Sequence, residues 1–439
     1  MGAVSTHVSA RSVALDVLER VLHGAYLAPA LSAALDSSQL AGQDRSFVTD
    51  LAYGVTRRLM QIDHALAPFL KAPGRLPPRV YGALRLGAYE VLFRGTPRYA
   101  AVNAWVAQMK RESPRLAGLT NAVLRRVELP REQPPQVAAN LPEWLLGQFT
   151  AALGPGNANS AAAGMLEPEP LWLTLFSEQA AVSLRQDGAE IEPLLEGAPY
   201  PASYRVRSPL PLAELAAYRL GLVQPQNPSS LQVALALGAG PGARVHDLAA
   251  GRGVKTAVLA ALGADVTAFE LSARRTEAAQ SNLRRLGFEA EHHVADLTSP
   301  PGVAPAPYVV LDAPCSGTGT LRGHPEIKLR LTPTSVAELA TLQRRLLLSA
   351  AELVEPGGVL LYAVCALTPS EGPEAVAHLL EQRPDFTAEP LTLPLTSAPP
   401  ANPANAGHGA FILPLGGLDG FYLAKLRRPG TLPHARAAI

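Results

Sequence analysis

Apolar positions recur every three or four residues from Ala10 to about Val127, the spacing of one helix face. In "ARSVALDVLERVL", Ala14, Val17, Leu18 and Val21 share a stripe, with Asp16, Glu19 and Arg20 opposite. The same pattern returns in "DRSFVTDLAYGVTRRLMQIDHALAPFL", "PRVYGALRLGAYEVLF", "AVNAWVAQMKR" and "AGLTNAVLRRVEL". Strand-like alternation is scarce here, so an all-helical domain is expected over residues 1–132. "LPREQPPQVAANLP" then reads as a linker, because proline removes donors and breaks helices. From "EWLLGQF" to about Leu222 the signals are mixed, with short strands such as "LWLTLF" and "YRVRS". Residues 133–222 are therefore expected to form the linker and a small α+β segment.

From "VQPQNPSS" onward the period changes. Short apolar runs alternate with helices: "ARVHDLAA", "KTAVLAALG", "DVTAFEL", "ARRTEAAQSNLRRLG", "EAEHHVAD", "YVVLDAP", "SVAELATLQRRLLLSAAELV" and "GGVLLYAVC". Strand, helix, strand at this spacing predicts βαβ units and a parallel sheet covered on both faces. "LTLPLTSAPPANPANAGHG" reads as a loop, and "AFILPL" and "GFYLAKLR" as an antiparallel hairpin on the sheet edge. This third region is expected to span 223–430, with 431–439 as a tail.

Composition adds little until the charge is divided. Net charge is +1 over 439 residues. Through Arg131 there are 17 Lys/Arg against 9 Asp/Glu, a balance of +8, and the remainder carries −7. A basic front half suits an anionic polymer, and equally suits a solvated helical surface. No stretch is long and apolar enough to span a membrane, and "MGAVSTHVSARS" lacks the apolar run of a signal peptide. Gly2 and Thr6 fit the loose myristoylation pattern, which recurs by chance. With two cysteines there is no disulfide scaffold, so a cytoplasmic monomer without metal or membrane partner is expected.

In an open parallel sheet, ligands bind beyond the carboxyl ends of the strands. The first predicted strand ends in "HDLAAGRGVKT", where Asp247 precedes a turn freed by Gly251 and Gly253 and a helix starts near Lys255. The second ends at Glu270, 23 residues after Asp247, an interval at which an acid typically binds ribose hydroxyls. The third ends at Asp296, suited to an adenine amino group. The fourth ends at Asp312, three residues before Cys315, and the fifth at Cys365. Singly, each acid could be a helix cap, and each cysteine a small buried hydrophobe. Together they describe a rim that binds an adenosine-containing cofactor and carries reactive thiols. Two cysteines without clustered histidines fall short of a zinc set, and His292-His293 is an isolated pair.

The string "DAPCSGTG", followed by "HPEIK" and by a cysteine after "GGVLLY", resembles the RNA (cytosine-5)-methyltransferases of the Sun/Fmu/RsmB family. "DLAAGRGVKT" is similar to that family's S-adenosylmethionine loop, and "VQPQNPSS" and "DGFYLAKLRR" to its entry segment and closing strand. The helical stretches resemble the NusB-like domain that precedes catalysis in the RsmB branch, so nearly the whole chain is covered. The implied architecture is α plus α/β and multidomain. A NusB-like helical domain is followed by a small α+β segment and a class I, Rossmann-like methyltransferase domain.

The resemblance implies methylation of carbon 5 of a cytosine in small-subunit (16S) ribosomal RNA. Carbon 5 is too weak a nucleophile alone; a thiolate adding to carbon 6 makes it enamine-like. The family's nucleophile maps to Cys365 and its second thiol, which assists breakdown of the adduct, to Cys315. Asp312 would hold the ring at nitrogen 3. The cofactor would lie on Ala249, Ala250, Gly251, Arg252, Gly253, Val254 and Lys255, with Glu270, Asp296 and Asp312. Arg322 and Lys328 beside "HPEIK", and Arg125 and Arg126 of the helical domain, would hold RNA phosphates.

The chain departs from the family pattern at several points. Arg252-Gly253-Val254 replaces Pro-Gly-Gly, and Val364 and Ala366 replace hydroxyl residues beside Cys365. Glu371-Gly372-Pro373-Glu374 stands for the usual acid-rich run, and Asn227 for a common Asp. An RNA-binding assembly factor that retained the fold is the alternative the altered loop favours. A DNA-type methyltransferase, with Cys315 as attacker, is another.

Overall fold

The computed structural model describes residues 9–395 and 406–430, so Gly2, Thr6, the tail 431–439 and the centre of the predicted loop lie outside the described residues. The chain forms two compact units. Among the described residues, one comprises 9–146, 165–168 and 321–331; the other comprises 147–164, 169–320, 332–395 and 406–430. These limits differ from those drawn on the sequence. The helical unit runs past 132 and takes in 321–331, and most of the α+β segment belongs to the same unit as the parallel sheet.

The helical unit is built from Ala10–Leu22, Leu27–Ser37, Gln43–Arg57, Leu59–Leu66, Pro78–Leu92, Arg98–Glu112 and Ala117–Leu124. The stripe read from the sequence is its core: Val17, Leu18 and Val21 are buried against Val48, Leu51, Leu84 and Trp105. Several helices lack a cap in their own sequence, and distant residues supply it. Leu59–Leu66 has no local side-chain cap. The amides of Met60 and Gln61 instead donate to Asn140 Oδ1 at 3.1 and 3.2 Å. The expected linker is thus a packed element with its own short helix, Pro135–Ala139.

Residues 321–331 do the same work at other helix ends. The Leu27 amide donates to Glu326 Oε1 at 3.1 Å, at the start of a helix with no local side-chain cap. Lys328 Nζ donates to the Arg57 carbonyl at 2.6 Å. Arg57 Nη2 donates to the Arg322 carbonyl at 3.0 Å. Such terminal groups need partners when they leave water. The expectation that Arg322 and Lys328 face RNA is therefore corrected: they are 1% and 5% exposed and enclosed by the helical unit. Arg125 and Arg126, by contrast, are exposed after Ala117–Leu124.

The second unit carries two sheets. Strands β1 (Leu171–Leu175), β2 (Glu190–Pro193), β3 (Ala202–Arg207) and β4 (Val223–Pro225) form an antiparallel sheet in the order β2-β3-β1-β4. The larger sheet contains β5 (Arg244–Leu248), β6 (Asp265–Glu270), β7 (Glu291–Val294), β8 (Ala306–Asp312), β9 (Val354–Val364), β10 (Thr387–Glu389), β11 (Ala410–Ile412) and β12 (Phe421–Arg427). Its order is β10-β12-β9-β8-β5-β6-β7, with β11 on β12. Strands β5 to β9 are parallel, and β12 runs antiparallel to β9. The hairpin is present, but β12 is not the edge, because β10 pairs with its far side. The short run Thr387–Glu389 has no apolar alternation to announce it. The order reverses between β8 and β5, which makes their carboxyl ends the switch point where such sheets bind ligands.

Burial of Lys328 has a measurable consequence. Burial, followed by the charges of Arg57 and Arg58, pushes its pKa down to about 7 from 10.5. Between those values the unfolded chain binds a proton that the folded chain does not, so this residue makes stability rise with pH, by up to about 1.4 kcal/mol per unit. Below about 7 both states are charged, and the full penalty of burying the cation applies. Lys328→Met should therefore gain stability relative to wild type at pH 6 compared with pH 9 in chemical denaturation. A difference that does not vary with pH would contradict the burial.

Candidate active site

The loop after β5 begins with strained backbone. Ala249 has φ +58°, followed by Gly251 at +62° and Gly253 at +73°. For a non-glycine residue this is uncommon and marks a locally over-determined turn. Gly253 is required for contact as well as conformation: a Cβ there would come within 2.9 Å of Leu283 and 3.0 Å of Ala279. The helix Ala273–Leu286 can thus lie against the start of Val254–Ala261.

Lys255, in the first turn of that helix, reaches across the switch point and pairs with Asp312 at the end of β8. Burial works against the ammonium, but Asp312, then Asp247 and Cys365, hold its pKa above the ordinary value. Asp247 lies inside β5, fully buried, and accepts from Thr256 Oγ1 at 2.6 Å. Burial pushes its pKa up to about 6, although Thr256 and Lys255 pull the other way.

The two sulfurs converge. Cys315 Sγ lies 3.3 Å from Cys365 Sγ, and both side chains are half-buried. Two loops bring them together. The Gly319 amide donates to the Cys365 carbonyl at 2.9 Å, and the Leu367 amide to Thr318 Oγ1 at 2.9 Å. A Cβ on Gly319 would collide with the Gly420 carbonyl, so the last glycine of "DAPCSGTG" is needed for close backbone approach.

Beneath the pair lies Glu371, fully buried. Its Oε1 accepts from the Ser316 amide at 2.7 Å and Gln343 Nε2 at 3.1 Å. Its Oε2 accepts from Ser316 Oγ at 2.6 Å and Thr368 Oγ1 at 2.8 Å. Gln343 Nε2 also donates to the Pro314 carbonyl at 3.0 Å. Both neighbours of Cys315 are thereby fixed to one carboxylate. Sequence reasoning noted Glu371 only as a departure in an acid-rich run; the six-residue interval from Cys365 was the available signal. The Cys315 thiol is held well above its ordinary pKa, first by its contact with Cys365 and by burial, then by Glu371 and Asp312.

A cleft of about 690 Å³ opens on this constellation. Of the residues expected to hold cofactor or substrate, Ala249, Ala250, Gly251, Arg252, Val254, Lys255, Asp312 and Cys365 line it. Cys315 stands behind Cys365. Glu270 lies one bond beyond the wall, accepting from the Gly251 amide at 3.0 Å and the Ser272 amide at 2.9 Å. Asp296 is exposed past β7, and the Thr298 amide, donating at 2.9 Å, pulls its pKa down. The sequence did not single out Trp172, Gln226, Asp419 or Phe421, which complete the cleft.

Asn227 has a structural account. Its Oδ1 accepts from Ser229 and Asp419 amides at 3.1 Å, while its Nδ2 donates to the Gly417 carbonyl at 3.1 Å. A carboxylate could not make the last bond.

The donor set fits S-adenosylmethionine. Glu270 retains acceptor lone pairs for ribose hydroxyls, and next to it Leu271 is a 65% exposed apolar surface. The strained loop presents backbone to the cleft. Among the described residues no group of His, Cys, Asp and Glu could hold a metal ion, and no helix is long and apolar enough to cross a membrane.

Residues 234–427 match the family model for 16S rRNA methyltransferase RsmB/F, and residues 8–129 the NusB family. The chain is 44% identical to ribosomal RNA small subunit methyltransferase B of Thermus thermophilus, covering 95% of this chain and 97% of that one. The crystal structure of PH0851 superposes with a TM-score of 0.76 at 22% identity, over 95% of this chain and 98% of that chain. That of NSun6 from Pyrococcus horikoshii with SFG gives 0.57 at 19%, over 65% and 98%. These two likenesses concern the fold. The chain belongs to the RsmB/F family of S-adenosylmethionine-dependent rRNA methyltransferases and carries a NusB-family domain ahead of the catalytic one.

Proposed function

We propose that this methyltransferase acts on carbon 5 of a cytosine in 16S rRNA, through a covalent bond between Cys365 and carbon 6. The observation that supports the reading most is the 3.3 Å approach of two thiols at the wall of a cleft that also contains Lys255 and Asp312. An RNA-binding scaffold has no use for such a pair.

Ala249 to Lys255, with Glu270, Leu271 and Asp296, would hold S-adenosylmethionine. When bound, it supplies an electrophilic methyl group. The chain's own residues do the rest. Cys365 is the thiol that lines the cleft, and as the attacking group it gives up its proton to solvent. Its sulfur adds to carbon 6 of a base that has left its stack. Asp312, which shares a proton with Lys255, would pass that proton to nitrogen 3 of the ring as electron density moves onto it. Once carbon 5 has been alkylated, its proton is released to solvent, the electron pair it leaves re-forms the ring double bond, the carbon–sulfur bond breaks and Cys365 leaves as thiolate. Cys315, kept protonated by its surroundings, is placed to return a proton to that sulfur. Arg125 and Arg126 contribute exposed positive charge for phosphates, and the basic balance of the helical domain supports an RNA-gripping role.

Two experiments test the assignment. Cys365→Ala should abolish methyl transfer to 16S rRNA and leave no adduct stable to denaturing electrophoresis, whereas Cys315→Ala should let that adduct accumulate. The reverse pattern would make Cys315 the attacker. Glu371→Gln should lower turnover roughly tenfold or more, about 1.4 kcal/mol of barrier, with little change in RNA affinity. In a Cys365→Ser background it should also move the alkylation midpoint of Cys315 to lower pH, because a nearby negative charge is gone. Unchanged alkylation would remove Glu371 from the chemistry and leave it a purely structural role.

A further inference from the structure

Beside the reaction cleft lies a second one, of about 370 Å³, lined by Tyr218, Gln224, Pro225, Arg252, Val254, Ala278, Ser281, Asn282 and Arg285. Its volume falls in the range of small-molecule sites, roughly 300–1,000 Å³. Pro225, Arg252 and Val254 line both clefts.

The floor is polar and continuous. Arg285 Nη1 donates to the Tyr218 and Val223 carbonyls at 2.8 and 3.0 Å, and its Nη2 to Asn282 Oδ1 at 2.9 Å. Asn282 Nδ2 donates to Gln224 Oε1 at 3.4 Å. Gln224 Nε2 donates in turn to Gln226 Oε1 and to the Val254 carbonyl, both at 3.0 Å. Gln226 belongs to the reaction cleft. One hydrogen-bonded chain thus runs under both spaces and fixes their relative position.

Charge distinguishes the two. The reaction cleft includes Glu169, Asp312 and Asp419; the second has no carboxylate among its lining residues and holds two guanidiniums. Arg252 is exposed on the shared wall. The helix that supplies Ala278 to Arg285 carries Arg274, Arg275, Arg284 and Arg285 against Glu277 alone. The Arg285 guanidinium lies 4.2 Å from the centroid of Tyr218, making a flat surface of the kind bases stack on. Carboxamides, two hydroxyls and cations without acids suit a nucleotide with its phosphodiester, not a peptide with mixed charge.

We propose that the second cleft seats the nucleotide adjoining the target cytosine, with Arg252 at the phosphodiester between them. The proposal rests on the reading above, in which the target base enters the first cleft. It also gives the departure from the family pattern at Arg252 a role, since proline could contribute no charge there.

The test uses the full chain and 16S rRNA from cells lacking the gene. Ser281 is exposed on the rim and has no part in the reaction cleft. Ser281→Glu should weaken rRNA binding about tenfold, an effect of one unfavourable charge at a phosphate site, while affinity for S-adenosylmethionine stays at the wild-type value. Thr341→Glu, on an exposed turn of another helix, should bind RNA as wild type does. In parallel, rRNA transcribed with 4-thiouridine and irradiated should crosslink to peptides containing residues 218–225 and 278–285. If the wild type methylates rRNA, but Ser281→Glu binds it unchanged and no crosslink maps there, the cleft proposal is wrong while the catalytic reading stands. If the crosslinks and the loss of affinity occur without methyl transfer by the wild type, the cleft binds RNA and the catalytic reading fails.

Discussion

The reactive end of the larger unit depends on one buried carboxylate. Burying an ionised acid costs several kcal/mol unless hydrogen bonds replace its hydration. Glu371 meets that requirement with four donors from three parts of the chain, none of them a cation. Two donors come from Ser316, one from Thr368 and one from the long helix Pro333–Glu352 through Gln343. The loop after β8 and the loop after β9 can satisfy this acid only by coming together. The 3.3 Å approach of the thiols is a consequence of that demand. Tyr362, donating to the Glu371 carbonyl at 2.6 Å, ties the same residue to β9.

The sequence made part of this legible because some requirements are local. Helical periodicity gave the first unit, and the βαβ rhythm gave the sheet. Strand ends gave Asp312, Cys365 and the glycine turn, since a parallel sheet presents its ligands there whatever its loops do. Long-range needs left no local trace. Asn140 caps a helix that starts 81 positions earlier, and its place in a proline-rich stretch reads as linker. Lys328 and Arg322 sit beside a motif and carry charge, so they read as phosphate ligands. Their burial follows from unpaired carbonyls and amides of helices far away in the chain, which periodicity does not reveal. Thr387–Glu389 is a strand only because β12 has an open side.

The departures from the family pattern divide along physical lines. At Asn227 the amide is needed, since one residue must accept two amide bonds and donate a third. At Val254 the side chain is tolerated because the positive φ falls on Gly253, one residue earlier, and Val254 itself begins a helix. Val364 and Ala366 are fully buried. The other loop keeps its own hydroxyls beside the cysteines, Ser316 and Thr318, which bond at 3.3 Å.

Charge then separates the roles of two chemically identical thiols. Two anions 3.3 Å apart would repel by about 5 kcal/mol at an effective dielectric constant near 20. Two thiols this close therefore resist losing both protons. Lys255 feels Cys365, whereas Cys315 is faced by Glu371 and Asp312. A negative charge on Cys315 is therefore opposed by its neighbours. The carboxylate that ties the two loops together adds to the Cys365 contact and the burial that raise the Cys315 pKa. One buried acid thus links the approach of the two loops to the environment of Cys315, which is what the proposed sequence of attack and release requires.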